Sequence, residues 1–204
     1  EDIKEEIQSV NEEYDNALSR QQEQYDGMKA HIKYMYENSD SNYGMMRSLL
    51  VGVVPIPYEN VFRIKGEERP EKEAVRYSRM VENNIPMKDG WPVFDVILLG
   101  AGGDGHTSSI FPGQESLLSS DKIYEVSYNP NNGQKRIAMT GCPIINAQRV
   151  IFLIIGKSKA DVVEEMCTSG DTGPAAYIAH HAENVELFLD DYAASKIDEE
   201  EISD

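Results

Sequence analysis

The sequence predicts an α/β protein with a mostly parallel sheet and flanking helices. Two observations carry this expectation. First, Phe94-Asp95-Val96-Ile97-Leu98-Leu99 and Val150-Ile151-Phe152-Leu153-Ile154-Ile155 are near-continuous apolar runs of strand length, without the alternation of a half-exposed strand. Second, these runs are interleaved with segments whose apolar residues recur every three or four positions, the period of an amphipathic helix. The composition agrees: 40% of the 204 residues are hydrophobic and 27% charged, within the globular range.

Each element follows from local signals. Residues 1–32 place Ile3, Ile7, Val10, Tyr14, Ala17, Tyr25, Met28 and Ile32 at helical spacing, with no proline. This reads either as a helix packed on a flank or as a partner helix of coiled-coil type. Ser39-Asp40-Ser41-Asn42 is a helix-start cluster, leading into a short helix over Tyr43–Leu50 that Pro55 and Pro57 end. Val61-Phe62-Arg63-Ile64 reads as a short strand. Pro70 opens a helix bearing Ala74, Tyr77, Val81 and Ile85, which Pro86 and Gly90 close. The run over Phe94–Leu99 suggests a strand covered on both faces.

Further along, Ile123–Tyr128 alternates and suits a strand nearer an edge. Asn131-Asn132-Gly133 is a turn. Arg136–Thr140 and Arg149–Ile155 read as strands, and Ser158–Met166 as a helix followed by a Gly170–Gly173 loop. Val185–Leu189 is a last strand or helix, and Tyr192–Ile197 is helical. Three segments result: an acidic helix over 1–38, an α/β domain over 39–197 and an acidic tail over 198–204.

Charge and composition exclude several functions. The net charge is -17, which opposes general binding to a phosphate backbone, so no nucleic-acid partner is expected. The charge is concentrated at the ends: residues 1–42 carry 11 acidic and 4 basic side chains, and residues 183–204 carry 9 and 1. The nearly neutral middle is free to host a basic pocket. No apolar run approaches the ~20 residues of a membrane span. Cys142 and Cys167 make neither a disulfide framework nor a zinc site, and both read as buried thiols in a cytoplasmic protein. His180-His181 has no partners at ligand spacing, so no metal is expected. Trp91 reads as packing.

The candidate chemistry lies in Gly100-Ala101-Gly102-Gly103-Asp104-Gly105-His106-Thr107-Ser108-Ser109. It directly follows a buried-type strand, where ligands of α/β sheets bind. The glycines let the backbone approach a ligand, and Thr107-Ser108-Ser109 suits the opening of a helix. His106 is either a structural histidine or a general base, with Asp104 near enough to orient it. The backbone N–H groups of Gly102, Gly103 and Gly105 are candidate oxyanion donors. P-loop and nucleophile-elbow spacings are absent.

The segment from Phe94 to Gly113, FDVILLGAGGDGHTSSIFPG, closely resembles the signature of 6-phosphogluconolactonases. Ser41-Asn42-Tyr43-Gly44-Met45, Lys135–Thr140, Ile145–Val150, Gly156-Lys157-Ser158-Lys159-Ala160 and Asp190-Asp191-Tyr192-Ala193-Ala194 resemble further family segments. Glucosamine-6-phosphate deaminases share an Asp-Gly loop with Gly-His, but Thr107–Gly113 follows the lactonase pattern.

The resemblance implies a Rossmann-like fold and hydrolysis of a small-molecule sugar-phosphate lactone, 6-phospho-D-glucono-1,5-lactone, to 6-phosphogluconate in the oxidative pentose phosphate pathway. It implies no cofactor. By this resemblance His106 is the base, Asp104 orients it, and Arg136 and Lys159 hold the phosphate; taken alone, the two cations read as surface charges.

The chain departs from the family pattern upstream. Residues 1–40 hold only Gly27, without the family's Ser-Gly-Gly-Ser phosphate loop or its Asp-Glu-Arg element. Losing such donors costs about a few kcal/mol of phosphate binding. The α/β domain is then incomplete on its N-terminal side and one side of its sheet uncovered. Two other readings follow: an impaired relative acting as a binding or assembly module, self-associating through residues 1–38, and an isomerase or deaminase of another sugar phosphate.

Overall fold

The computed structural model describes residues 8, 10–23, 25–26, 42–168 and 170–197. The expected boundaries at 38 and 197, the helix start at 39–41 and the tail over 198–204 fall at or outside the edges of these residues. The chain divides into two compact units, Glu1–Arg63 and Ile64–Asp204.

In the first unit residues 10–23 form a helix, α1, whose side chains are all exposed. A second helix, α2 (Asn42–Met46), runs into a wider π turn over Arg47–Val51. Pro57 stands at the entry to a single 3₁₀ turn, Tyr58–Asn60. The strand expected over Val61–Ile64 does not form. Those residues make no ladder among the described residues, and apolar composition by itself does not report strand pairing.

The second unit carries the α/β core. Its central sheet has the order β3-β6-β7, all parallel: β3 (Ile97–Leu99), β6 (Val150–Ile154) and β7 (Val185–Leu189). Two antiparallel pairs accompany it, β1 (Met87–Lys88) with β2 (Trp91–Pro92) and β4 (Tyr124–Tyr128) with β5 (Lys135–Met139). The helices are α3 (Pro70–Asn84), α4 (Gly141–Ile145), α5 (Ala160–Cys167) and α6 (Pro174–His181).

Parallel pairing requires crossovers, and the elements between 99 and 150 and between 154 and 185 supply them. The crossover helices α4 and α6 were not legible as helices. Both are short and apolar on most sides, so no 3.6-residue alternation marks them. Tyr192–Ile197, expected as helix, is a series of turns.

One face of the central sheet is well packed. Val150, Phe152, Ile154, Ile110, Ile144, Val163 and Ile178 are almost wholly buried in one cluster. The other face is open: Leu98, Leu153 and Phe188 are 59%, 55% and 53% exposed. The expectation that β3 is covered on both faces is therefore corrected. Its apolar run reflects a second face that meets solvent in this chain. The expectation of an uncovered sheet side, drawn from the departing N-terminal region, agrees.

A second cluster joins α3 to the β4–β5 pair through Ala74, Val81, Ile123 and Tyr124. Tyr77 meets Tyr124 edge-on at 4.9 Å. Trp91 packs here, as expected. Glu73 is 1% exposed in the first turn of α3. It accepts hydrogen bonds from the Lys65 N–H and from Arg76 Nε and Nη2, each at 2.6 Å. These bonds tie the incoming chain to the helix. Cys142 and Cys167 are half-buried rather than fully buried, and desolvation pushes the Cys142 thiol pKa up, away from reactivity.

Asp190 closes the end of the sheet. One carboxylate oxygen accepts the Gly156 N–H at 2.9 Å and the Ala193 N–H at 2.8 Å. The bond from Gly156, then that from Ala193, hold its pKa below the usual carboxylate value.

Two outcomes are expected. Glu73→Ala removes the carboxylate that bonds the half-buried Lys65 N–H and the Arg76 guanidinium, and lowers the unfolding free energy by about 1–3 kcal/mol in urea titration. For Asp190 the folded-state pKa is depressed, so its contribution is present at neutral pH and lost as pH falls through that value. Asp190→Asn therefore lowers Tm at pH 7, and the gap from wild type closes below about pH 4.

Candidate active site

The site begins where β3 ends. After Leu99 the chain turns through Gly100 to His106 at the carboxyl edge of the parallel sheet. The loop folds back on itself: the Gly102 N–H donates to the His106 carbonyl at 2.8 Å, and the Gly105 N–H to the Gly102 carbonyl at 3.0 Å. Gly105 has φ +82°, a left-handed conformation that glycine adopts without cost.

Within this fold His106 and Asp104 meet. His106 Nδ1 lies 2.6 Å from Asp104 Oδ1, and the His106 backbone N–H donates to the same oxygen at 3.3 Å. The carboxylate can only accept, so Nδ1 carries the proton and Nε2 has its lone pair free to act as a base. Partial burial of Asp104 would raise its pKa. The bonds from the His106 ring and backbone outweigh that and hold the carboxyl below its usual value. Phe111, 3% exposed, lies under the imidazole with ring centroids 4.6 Å apart. Both the tilt and the tautomer of His106 are thereby set.

Glycine at 102 is a steric requirement. A Cβ there would lie 2.1 Å from His106 Nδ1 and 2.3 Å from Asp104 Oδ1. The acid–base pair rests directly on the bare Cα. A Cβ at Gly103 would come within 3.1 Å of the Ser158 carbonyl, so the loop also abuts the Lys157–Lys159 turn that follows β6. The Gly105 carbonyl accepts the Ala175 N–H at 2.9 Å, joining the loop to the start of α6.

No helix opens at Thr107-Ser108-Ser109, contrary to expectation. Thr107 and Ile110 form a bridge across a two-residue hairpin turn, with the Ile110 N–H bonded to the Thr107 carbonyl at 2.7 Å. Ser108 and Ser109 have φ +51° and +64°, the pattern of a type I′ turn. Non-glycine residues there store about 1 kcal/mol or more of strain each. Thr107 Oγ1 donates to the Gly100 carbonyl and Ser108 Oγ to the Met139 carbonyl, which lock the hairpin to the loop and to β5.

The structure thus brings together His106, Asp104, Gly102, Gly103, Gly105 and the turn bearing Lys159. It does not bring Arg136 in by any direct bond. Arg136 lies on β5, opposite Ser127 and three residues before Met139. The Gly102 and Gly105 N–H groups are spent inside the loop. Between Gly102 and Gly105, the N–H groups of Gly103 and Asp104 take no backbone partner among the described residues.

Phe111 and Asp190 were not identified from the sequence. Phe111 acts by packing, and Asp190 by capping Gly156 at the head of the Lys157–Lys159 turn. Neither role leaves a local pattern. The histidines of α6 face Asp171, with His180 Nδ1 at 3.2 Å and His181 Nδ1 at 3.7 Å. No group of three potential metal ligands occurs among the described residues.

A cleft of about 320 Å³ is lined by Glu115, Leu118, Ser119, Asp171, Thr172, Gly173 and Tyr177, not by His106. Its two carboxylates repel a phosphorylated ligand, so the chemistry is read at the loop and not in this cleft.

A parallel α/β domain here carries an imidazole–carboxylate pair on a glycine loop at the carboxyl end of a strand, an arrangement chemically suited to acid–base work. Comparison with known proteins gives the family. The family described as Glucosamine-6-phosphate isomerases/6-phosphogluconolactonase matches residues 35–187, and the chain belongs to it.

The chain is 37% identical over 145 residues to 6-phosphogluconolactonase of Treponema pallidum, covering 71% of this chain and 58% of that protein. Among solved structures it resembles the devB protein (TM-score 0.74, 39% identity, 79% of this chain and 69% of that one). It also resembles 6-phosphogluconolactonase from Trypanosoma brucei (TM-score 0.68, 30% identity, 79% and 70%). The chain spans 58–66% of the length of the first three curated relatives. No helix among the described residues is long and apolar enough to cross a membrane.

Gly102→Ala is expected to leave the unfolding midpoint within a few degrees of wild type, since the atoms that must yield are in the partly exposed His106 and Asp104 side chains. It should abolish the downfield proton NMR signal of the short Nδ1–H···Oδ1 bond.

Proposed function

We propose that this chain hydrolyses 6-phosphoglucono-1,5-lactone to 6-phosphogluconate. The observation that carries this reading is the 2.6 Å bond from His106 Nδ1 to Asp104. It leaves Nε2 as the base of an oriented pair, within a chain that resembles lactonases along the loop itself. A lactone is an activated ester, so a base-activated water is sufficient and no covalent nucleophile is required.

In this mechanism Nε2 removes a proton from water as the hydroxyl oxygen attacks the lactone carbonyl carbon. The carbonyl oxygen becomes an oxyanion, to which the N–H groups of Gly103 and Asp104 donate. Asp104 stabilises the imidazolium that forms. The ring C–O bond then breaks, and the imidazolium returns its proton to the departing ring oxygen, giving the open-chain hydroxyl and a carboxylic acid that ionises. His106 ends neutral, ready for another turnover.

Lys159, on the turn that abuts Gly103, is the phosphate contact supported by proximity. Arg136 is a second contact if the sugar phosphate reaches β5. Lys supplies a point charge and Arg a bidentate fork.

The test is hydrolysis of freshly generated lactone, scored as rate above the spontaneous background. Wild type is expected to exceed background clearly. His106→Ala should lose at least about 10²-fold in kcat, the usual worth of a general base. Asp104→Asn should lose about 10-fold or more with KM little changed. Lys159→Ala should instead raise KM. A folded wild-type protein with no excess rate would overturn the proposal.

A further inference from the structure

A turn of costly composition follows the base. Thr107 and Ile110 bracket a two-residue hairpin turn whose tip, Ser108-Ser109, has φ +51° and +64°. Both positions lie in the left-handed region, where a turn of this type favours Asn-Gly or Asp-Gly. The chain follows that preference elsewhere: the β1–β2 hairpin turns through Asp89 (φ +52°) and Gly90 (φ +87°). Ser109 thus holds the position that Gly90 holds in the other turn. Non-glycine residues kept in this region gather at functional sites, where the surrounding structure over-determines them.

Ser108 has a structural reason to be serine. Its Oγ donates to the Met139 carbonyl at 3.1 Å and ties the turn to β5. Ser109 shows no such reason. It is half-buried, and neither its hydroxyl nor its N–H bonds to any of the described residues. It stands three residues from His106, so the two Cα atoms are at most about 11 Å apart. The hairpin is fixed to the catalytic loop by Thr107 Oγ1, which donates to the Gly100 carbonyl at 2.8 Å. A hydroxyl both donates and accepts, which matches a sugar hydroxyl; a phosphate calls for cations such as Lys159.

We propose that Ser109 is a substrate-binding residue, whose hydroxyl bonds a hydroxyl of the sugar while His106 serves the carbonyl. This rests on the lactonase reading above. Serine here sacrifices a relaxed turn for a polar contact beside the base.

The test sets Ser109→Gly against Ser109→Ala. Tm, kcat and KM for lactone hydrolysis are measured, with calorimetric binding of 6-phosphogluconate and of inorganic phosphate. Alanine removes the hydroxyl and keeps the strain, whereas glycine removes both. The glycine variant is therefore expected to melt higher than the alanine variant. Both should raise KM and weaken 6-phosphogluconate binding about three- to tenfold, the worth of one hydrogen bond, with kcat within about twofold of wild type. Inorganic phosphate, which has no sugar hydroxyl, should bind variants and wild type alike.

Variants with wild-type KM and wild-type affinity for 6-phosphogluconate overturn the proposal. So does a KM rise in alanine that glycine reverses, because strain and not the hydroxyl would then be its cause. Phosphate binding weakened as much as 6-phosphogluconate binding overturns the choice of a sugar hydroxyl. A wild type that binds 6-phosphogluconate without turning over lactone removes the lactonase reading alone, and the binding comparison then decides for or against Ser109. A wild type that does neither overturns both.

Discussion

The site depends on close approach between backbones, and glycine is what permits it. The imidazole–carboxylate pair lies on the bare Cα of Gly102, at distances that any side chain would occupy. Gly103 lets the same loop abut the Ser158 carbonyl, and Gly105 meets the start of α6. One loop is thereby fixed to β6's outgoing turn, to α6 and to itself. A Cβ at position 102 would lie 2.1 Å from His106 Nδ1 and 2.4 Å from its Cε1, so the imidazole would have to shift.

The parallel sheet gives that loop its foundation. β6 pairs on both sides, and its inward residues Val150, Phe152 and Ile154 are almost fully buried. Its end is held by Asp190, which caps Gly156 and so fixes the Lys157–Lys159 turn against the loop. The hairpin at Thr107–Ile110 adds a strained but well-bonded brace, anchored at Gly100 and Met139. Strain of this kind persists when surrounding bonds over-determine the backbone, as they do here. Phe111 then sets the imidazole from below. The outcome is an imidazole whose orientation is set by Asp104 and Phe111 at the carboxyl edge of the sheet.

The sequence carried much of this, unevenly. The parallel strands announced themselves as apolar runs, and α3 through Pro70 and its periodic apolar residues. The acid–base pair was legible because Asp104 and His106 are two residues apart on a glycine loop after a strand. Less legible were α4 and α6, which are buried on most sides and so lack a helical stripe. The Val61–Ile64 segment has strand composition but joins no ladder among the described residues, and composition cannot report pairing. Thr107-Ser108-Ser109 resembles a helix start because hydroxyls suit both caps and turns. Only the bond from Ile110 back to Thr107 separates the two.

By itself, then, the sequence determined the class of fold, the family signature and which residues are candidates for the site, because these rest on local spacing and on residue type. Tertiary structure alone decided which loop N–H groups are spent, that Phe111 and Asp190 position the site, and that Arg136 stands on a separate pair of strands. It alone also showed which sheet side chains are exposed among the described residues: Leu98, Leu153 and Phe188. Such properties arise between residues far apart in the chain, where packing and hydrogen bonding are settled by neighbours that no local pattern names.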